Sequence, residues 1–176
     1  MATIYTIGHS TRELPELISA LHAHGIKTLV DIRAFPMSRR LPHFNRESLE
    51  KTLPASGISY IWMPALGGRR KRHRKDSPNT GLRNDSFRNY ADYMLTPEFQ
   101  DGIDELLHLA ESSPATIMCA ERVYFRCHRM LVSDYLKAHG HEVLHIDNEK
   151  PARPHKLMLE AQLIDGKLIY GEPKLF

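Results

Sequence analysis

Two apolar stretches bracket one amphipathic segment near the start of this chain, and that arrangement constrains the fold more than any other feature. Residues 3–7 read as a strand, Leu14, Leu17, Ile18 and Leu21 recur at helical spacing, and Ile26 to Arg33 reads as a second strand. Gly8-His9-Ser10-Thr11 turns the chain into the helix, with Ser10 or Thr11 placed to cap it and Glu13 in its first turn, and Gly25 ends it. A strand–helix–strand unit with a single crossover calls for a parallel pair joined right-handedly.

The alternation continues. Phe35 to Asn45, with Pro36 and Pro42, reads as irregular loop, Arg46 to Leu53 as a short helix capped by Asn45, and Gly57 to Pro64 as a third strand. Residues 65–86 lack apolar periodicity and read as an exposed, partly mobile loop. Helices are expected over Phe87 to Met94 and Pro97 to Ala110, then a fourth strand over 115–119 and its helix over 127–138, with Gly140 as cap. A fifth strand follows over 142–146, then a helix-like piece from Pro154 to Gln162 and a hairpin over 163–170 turning on Asp165-Gly166. The pattern implies a single α/β domain over residues 1–176. Its expected form is a mostly parallel sheet flanked by helices, a Rossmann-like or rhodanese-like layered architecture with a C-terminal β-hairpin.

Composition narrows the class. A chain of 176 residues with 41% hydrophobic content suits one core, and no apolar run approaches the ~20 residues of a membrane span. The N-terminus enters a strand directly and lacks the pattern of a signal peptide, so the default location is cytoplasmic and no membrane partner is expected. There, the two cysteines read as thiols rather than a disulfide. The net charge of +3 is small but uneven: Arg69 to Lys75 holds six of the 24 basic residues in seven positions. His22, His24, His139 and His141 flank helix ends and read as incidental groups meeting water.

In a parallel sheet the carboxyl ends of the strands open onto one crevice. Strand one delivers Gly8, His9, Ser10 and Thr11 there, strand two Asp31 and Arg33, strand three leads to Gly67, Gly68 and Arg69, and strand four delivers Cys119 and Glu121. Both cysteines fall at this end, because Cys127-His128-Arg129 opens the helix after strand four.

The run from Cys119 to Arg126 has the spacing Cys, six residues, Arg, which resembles thiolate enzymes whose loop amides cradle an anion. The loop contains no glycine and carries Glu121, both unhelpful to a dianion, so Cys119 stays open as nucleophile, structural thiol, or metal or redox group. Cys119, Cys127 and His128, with His9 as fourth, could offer zinc ligands, but the spacing is unspecific and no cofactor is expected. Glu121 reads as general acid/base or as an ion-pair partner of Arg129 or Arg126. Asp31 lies inside an apolar strand, as a brace for nearby loops or as a catalyst. The basic run suits phosphate binding, with Trp62 and Tyr60 nearby as possible stacking surfaces for bases.

Further segments complete a resemblance. Thr6 to Thr11, Leu29 to Arg33 with Pro36, Ser38 and Arg39, and Pro42 with Phe44-Asn45 resemble the domain-of-unknown-function family 488. So do Leu66 to Arg69, Tyr90 to Met94 with Tyr93, Cys119-Ala120-Glu121 with Cys127-His128-Arg129, and Pro154-His155 with the closing hairpin. The resemblance implies a compact cytosolic α/β protein and brings no established reaction. A weaker likeness to rhodanese-type sulfurtransferases rests on Val30 to Arg33 and a strand-end cysteine, with a longer loop after Cys119.

The expectation is an enzyme acting on a phosphate-bearing substrate, nucleotide or nucleic acid. Cys119, Glu121, His9 and Asp31 are its catalytic candidates. Gly8, Ser10, Thr11, Arg33, Ser38, Arg39, Asn45, Gly67, Gly68, Arg69, Tyr93, Arg126, Cys127, His128, Arg129 and His155 are its substrate-binding candidates. The alternative is a non-catalytic nucleic-acid-binding module using the 69–75 run. Sequence leaves the oligomeric state open.

Overall fold

A computed structural model describes residues 1–71 and 75–172. The elements follow the order β1 (Thr3–Gly8), α1 (Leu14–Ala23), β2 (Thr28–Asp31), α2 (Arg46–Ala55), β3 (Ser59–Trp62), α3 (Asp85–Tyr93), α4 (Pro97–Ser112), β4 (Ala115–Cys119), α5 (Arg129–Ala138) and β5 (Glu142–His145), then β6 (Arg153–Pro154), β7 (Ala161–Ile164) and β8 (Lys167–Tyr170). The main sheet runs β3-β2-β4-β1-β5-β6 and is parallel except for β6, while β7 and β8 form a separate antiparallel hairpin. This is the α/β architecture read from the alternation of elements.

Alternation along each strand divides the core in two. Ile7, Leu29 and Met118 pack beneath α1 and α2, with Leu17, Leu21, Leu49 and Leu53. Ile4, Val30, Ile117 and Cys119 face the other way, against Tyr90, Phe99, Ile103, Leu131 and Leu136 of α3, α4 and α5. Every residue of β2 and of β4 is buried, as expected of strands covered on both faces. The chain leaves β2 toward α2 on one face and β4 toward α5 on the other. These neighbouring strands therefore part at their carboxyl ends, and such a parting opens a crevice.

Local differences from the sequence reading have identifiable causes. Neither Ser10 nor Thr11 caps α1: Ser10 takes a left-handed turn at φ 52°, and Glu13 is the cap, its N–H donating to the Glu16 carboxylate at 3.3 Å. Asn45 does occupy the N-cap of α2, but its side chain accepts from the Ser38 N–H at 2.6 Å and so ties down the preceding loop. No helix forms over 154–162. Pro154 instead pairs with Leu144 in β6, and His155 and the Met158 N–H both turn inward to Asp134.

The far end of the 65–86 segment is anchored rather than loose. Asn79 is fully buried, donating to Asp92 at 2.8 Å and accepting from the Tyr170 N–H at 2.9 Å, and Leu82 enters the core. The part of the basic run at 72–74 lies outside the described residues. The flanking histidines do more than meet water: His22, His24 and His139 bond backbone carbonyls of Ser56, Asn148 and Gly166, and His141 accepts from the Ala2 N–H. No described helix is long and apolar enough to cross a membrane.

Candidate active site

The crevice at the strand ends is a cavity of about 350 Å³. Arg33, Ala34 and Phe35 enter it after β2, Gly68 and Arg69 after β3, Cys119, Ala120 and Glu121 after β4, and Cys127 and His128 ahead of α5, with Ser86 and Phe87 from α3 closing one side. Seven of the expected site residues thus meet there: Arg33, Gly68, Arg69, Cys119, Glu121, Cys127 and His128.

Its walls are set by close backbone approaches. The β1–β4 pairing runs past the strands, with His9 N–H donating to the Cys119 carbonyl at 3.0 Å and Ser10 N–H to that of Ala120 at 2.9 Å. A Cβ on Gly8 would lie 1.8 Å from the Glu121 carbonyl oxygen, so only glycine admits this loop. Gly68 plays the same part opposite His128, whose Nδ1 would lie 2.4 Å from an added Cβ.

The two thiols are the reactive groups of the cavity. Their sulfurs lie 2.9 Å apart and both cysteines are free. The groups around them differ. Cys119 is 3% exposed, and the shared hydrogen bond with Cys127, followed by burial, pushes its pKa well above the ordinary value. The Cys127 pKa is lowered to about 7, because the same bond favours its thiolate and the Arg129 charge adds to that against burial. Cys127 also immediately precedes the positive end of α5. The sequence reading left Cys119 open as nucleophile, structural thiol, or metal or redox group; the electrostatics favour ionisation of Cys127 over Cys119.

Arg129 is almost wholly buried, and its Nη2 donates to the Glu121 and Arg122 carbonyls at 3.0 Å each. It therefore pins the loop between the cysteines instead of pairing with the Glu121 side chain. The Glu121 side chain is exposed and has no hydrogen bond or ion pair among the described residues. Arg126, on a short 3₁₀ turn over Tyr124–Arg126, is exposed and outside the cavity wall.

Behind the cavity lies a buried polar brace. Arg33 donates to both Asp31 oxygens, at 2.9 and 2.7 Å, to the Phe44 carbonyl at 2.7 Å and to His9 Nε2 at 3.2 Å. Asp31 is fully buried, also accepts from the Tyr60 hydroxyl at 2.5 Å, and does not line the cavity. His9 is 4% exposed and donates from Nδ1 to the Ser10 carbonyl at 2.8 Å. Burial and the Arg33 charge lower its pKa to about 4, although the Ser10 bond opposes them. His9 is thus held as a neutral acceptor for Arg33, which leaves it poorly placed to carry protons. His128 is locked similarly: Nε2 donates to the Ile32 carbonyl at 2.9 Å, and burial takes its pKa to about 4.

The remaining candidates lie elsewhere. Thr11 and Arg39 are exposed and Ser10 half-buried on the flanking loops, and Ser38 and Asn45 brace one another. Gly67 packs against Ala34. Tyr93 donates to the Ala65 carbonyl at 2.5 Å and carries the Arg70 guanidinium 3.6 Å over its ring. His155 belongs to a buried chain from Thr6 through His145 and His155 to Asp134 and Tyr170. Tyr60 and Trp62 are not free stacking surfaces: Tyr60 holds Asp31, Trp62 donates to the Arg33 carbonyl at 2.9 Å, and Arg46 covers the indole at 4.6 Å. Phe35, Ser86 and Phe87 were not anticipated in the wall. Phe35, 68% exposed in a proline-bounded loop, was the one visible hint.

Among the described residues no group of three or more His, Cys, Asp or Glu side chains is arranged to hold a metal. His9 and His128 both direct ring nitrogens at protein partners instead.

Fold and site together define a class: an α/β protein with a paired-thiol crevice where neighbouring parallel strands part. Residues 13–136 match the family described as Domain of unknown function DUF488, and the chain belongs to that family. No curated protein and no solved structure matched the chain.

Proposed function

We propose that the protein is an enzyme acting on a phosphate-bearing substrate, a nucleotide or nucleic acid, in the strand-end crevice, with the Cys127 thiolate as its reacting group. One observation carries this reading: two thiols, the Glu121 carboxylate and the arginines 33 and 69 all open on the same cavity. Arg69 rests its guanidinium 5.3 Å over the Phe35 ring, at the exposed side of the site, where it can meet an anion. Phe35 and Phe87 supply flat apolar walls suited to a heterocyclic base. The Cys127 thiolate would attack phosphorus and displace an alkoxide, and Glu121 would protonate that departing oxygen. Water, deprotonated by Glu121, would then attack the phosphorus, breaking the sulfur–phosphorus bond so that phosphate is released and the thiolate restored.

The test is release of inorganic phosphate from a panel of nucleotides and phosphomonoesters. Cys127→Ser and Glu121→Gln are each expected to lose activity by roughly 10²-fold or more. Because the Glu121 side chain is exposed, Glu121→Gln should shift stability by no more than about 0.5 kcal/mol. Turnover that survives Cys127→Ser would overturn the role given to the thiolate.

A second reading, a nucleic-acid-binding module, draws on Lys71 and Lys75, which are exposed on the same loop as Arg69. Arg70 does not contribute, since it bonds the Pro64, Ala65 and Gly67 carbonyls. This reading predicts single-strand affinity that falls steeply with salt and disappears when the basic run is neutralised, with indifference to Cys127→Ser.

A further inference from the structure

We infer that Cys127 and Cys119 form an attacking and resolving pair for thiol–disulfide exchange with a low-molecular-weight disulfide, a further activity that passes through an intramolecular 119–127 bond. The sulfurs, 2.9 Å apart, need approach by less than about 1 Å to reach bonding distance. The intervening loop is held at its β4 end by the two Arg129 bonds to its carbonyls and by the backbone bonds from His9 and Ser10, and at its other end by the Cys127 N–H donating to the Tyr124 carbonyl at 3.3 Å. Closure therefore requires side-chain rotation rather than refolding of the loop.

The pair is also unequal, as sequential chemistry needs. Cys127 is half-buried, whereas Cys119 lies beneath it at 3% exposure, so an incoming disulfide meets Cys127 first. The lower pKa expected for a leading thiol falls on that same residue, and Arg129 supplies the cation that supports it. Phe35, Phe87, Ala34 and Ala120 wall a cavity large enough for a small disulfide, and the exposed Arg69 favours an anionic one.

The steps balance. The Cys127 thiolate attacks one sulfur of the external disulfide, forming a mixed disulfide and releasing the other half as a thiolate. Cys119 gives up its proton to solvent, and its sulfur attacks Cys127 Sγ. The second half then leaves as a thiolate, and the 119–127 bond remains. The external disulfide has gained two electrons and the protein has lost two. An external dithiol reverses the sequence. The proposal shares the crevice with the reading above but not its substrate, so a chain inert toward every phosphate ester can still exchange disulfides, and the reverse.

The experiment incubates the full chain with oxidised glutathione, quenches with iodoacetamide and reads the mass and the cysteine peptides. Wild type should lose the mass of two hydrogens, retain no glutathione and show the 119 and 127 peptides joined. Cys119→Ser should stop at a stable glutathione adduct on Cys127. Cys127→Ser should react at least about tenfold more slowly at Cys119. A persistent adduct on wild type, equal rates for the two variants, or cross-linked dimers alone would overturn the proposal. If circular dichroism shows that a serine variant is unfolded, the wild-type mass and peptide map decide the matter by themselves.

Discussion

The acceptor capacity of the Asp31 carboxylate is used inside the protein, on the Arg33 guanidinium and N–H and on the Tyr60 hydroxyl. Replacing it with asparagine leaves the buried Arg33 charge without its counterion. Asp31→Asn should therefore cost about 3–5 kcal/mol in urea unfolding, a loss that a surface ion pair such as Arg46–Glu50 would not show. Gly8→Ala is expected to cost at least about 1–3 kcal/mol, since the clash is with backbone and the cysteine loop must move. Its second signature is altered alkylation of Cys127, measured beside the melting curve. At this scale the cysteines, Glu121 and Arg69 were legible, because reactive residue types cluster at strand ends. The brace was less so. Asp31 reads from sequence as a brace or a catalyst and Arg33 as an anion-binding group, and nothing local reveals that the two form a buried pair completed by His9 after β1 and Tyr60 on β3.

Among elements, α3, α4 and α5 are joined by an aromatic cluster. Phe99 of α4 meets Tyr135 edge-on at 5.1 Å and Tyr93 at 6.0 Å, with Tyr90 at 6.1 Å. The ring is fully buried, so Phe99→Ala should destabilise the protein by about 3–5 kcal/mol, read as a fall in the denaturant midpoint. Apolar periodicity announced this helix and its inward face, and the uninterrupted apolar run over 115–119 announced β4. The segment after Pro154 misled, because its helical character is local. Asp134 lies on a different element, and its bonds with His155 and the Met158 N–H outweigh that local preference. Anchoring of the 65–86 segment was equally hidden, since Asn79 holds it through polar bonds that carry no hydrophobic period.

For the whole molecule, the alternation of strands and helices implied the layered fold, but the strand order depends on long-range packing that no single segment encodes. That packing buries three neutral imidazoles. His9 and His128 have their pKa lowered from 6.5 to about 4 and His145 to about 3, with burial the leading cause in each. Their unfolded forms protonate near 6.5 while the folded forms resist, so the unfolded state binds more protons as pH falls. Stability should be fully present above pH 6.5 and erode between there and about 4, by up to roughly 1.4 kcal/mol per group for each pH unit. Melting temperatures at pH 7.5, about 6 and about 5 should fall progressively; a flat profile would mean that these rings are not held neutral.

At the border of the sheet beyond β5, the two-residue β6 places Pro154 opposite Leu144. Proline has no amide hydrogen, and so short a strand offers an incoming chain little backbone to grip. The molecule thus carries a built-in stop against sheet extension on that side, where an unprotected margin would invite one copy to stack onto the next.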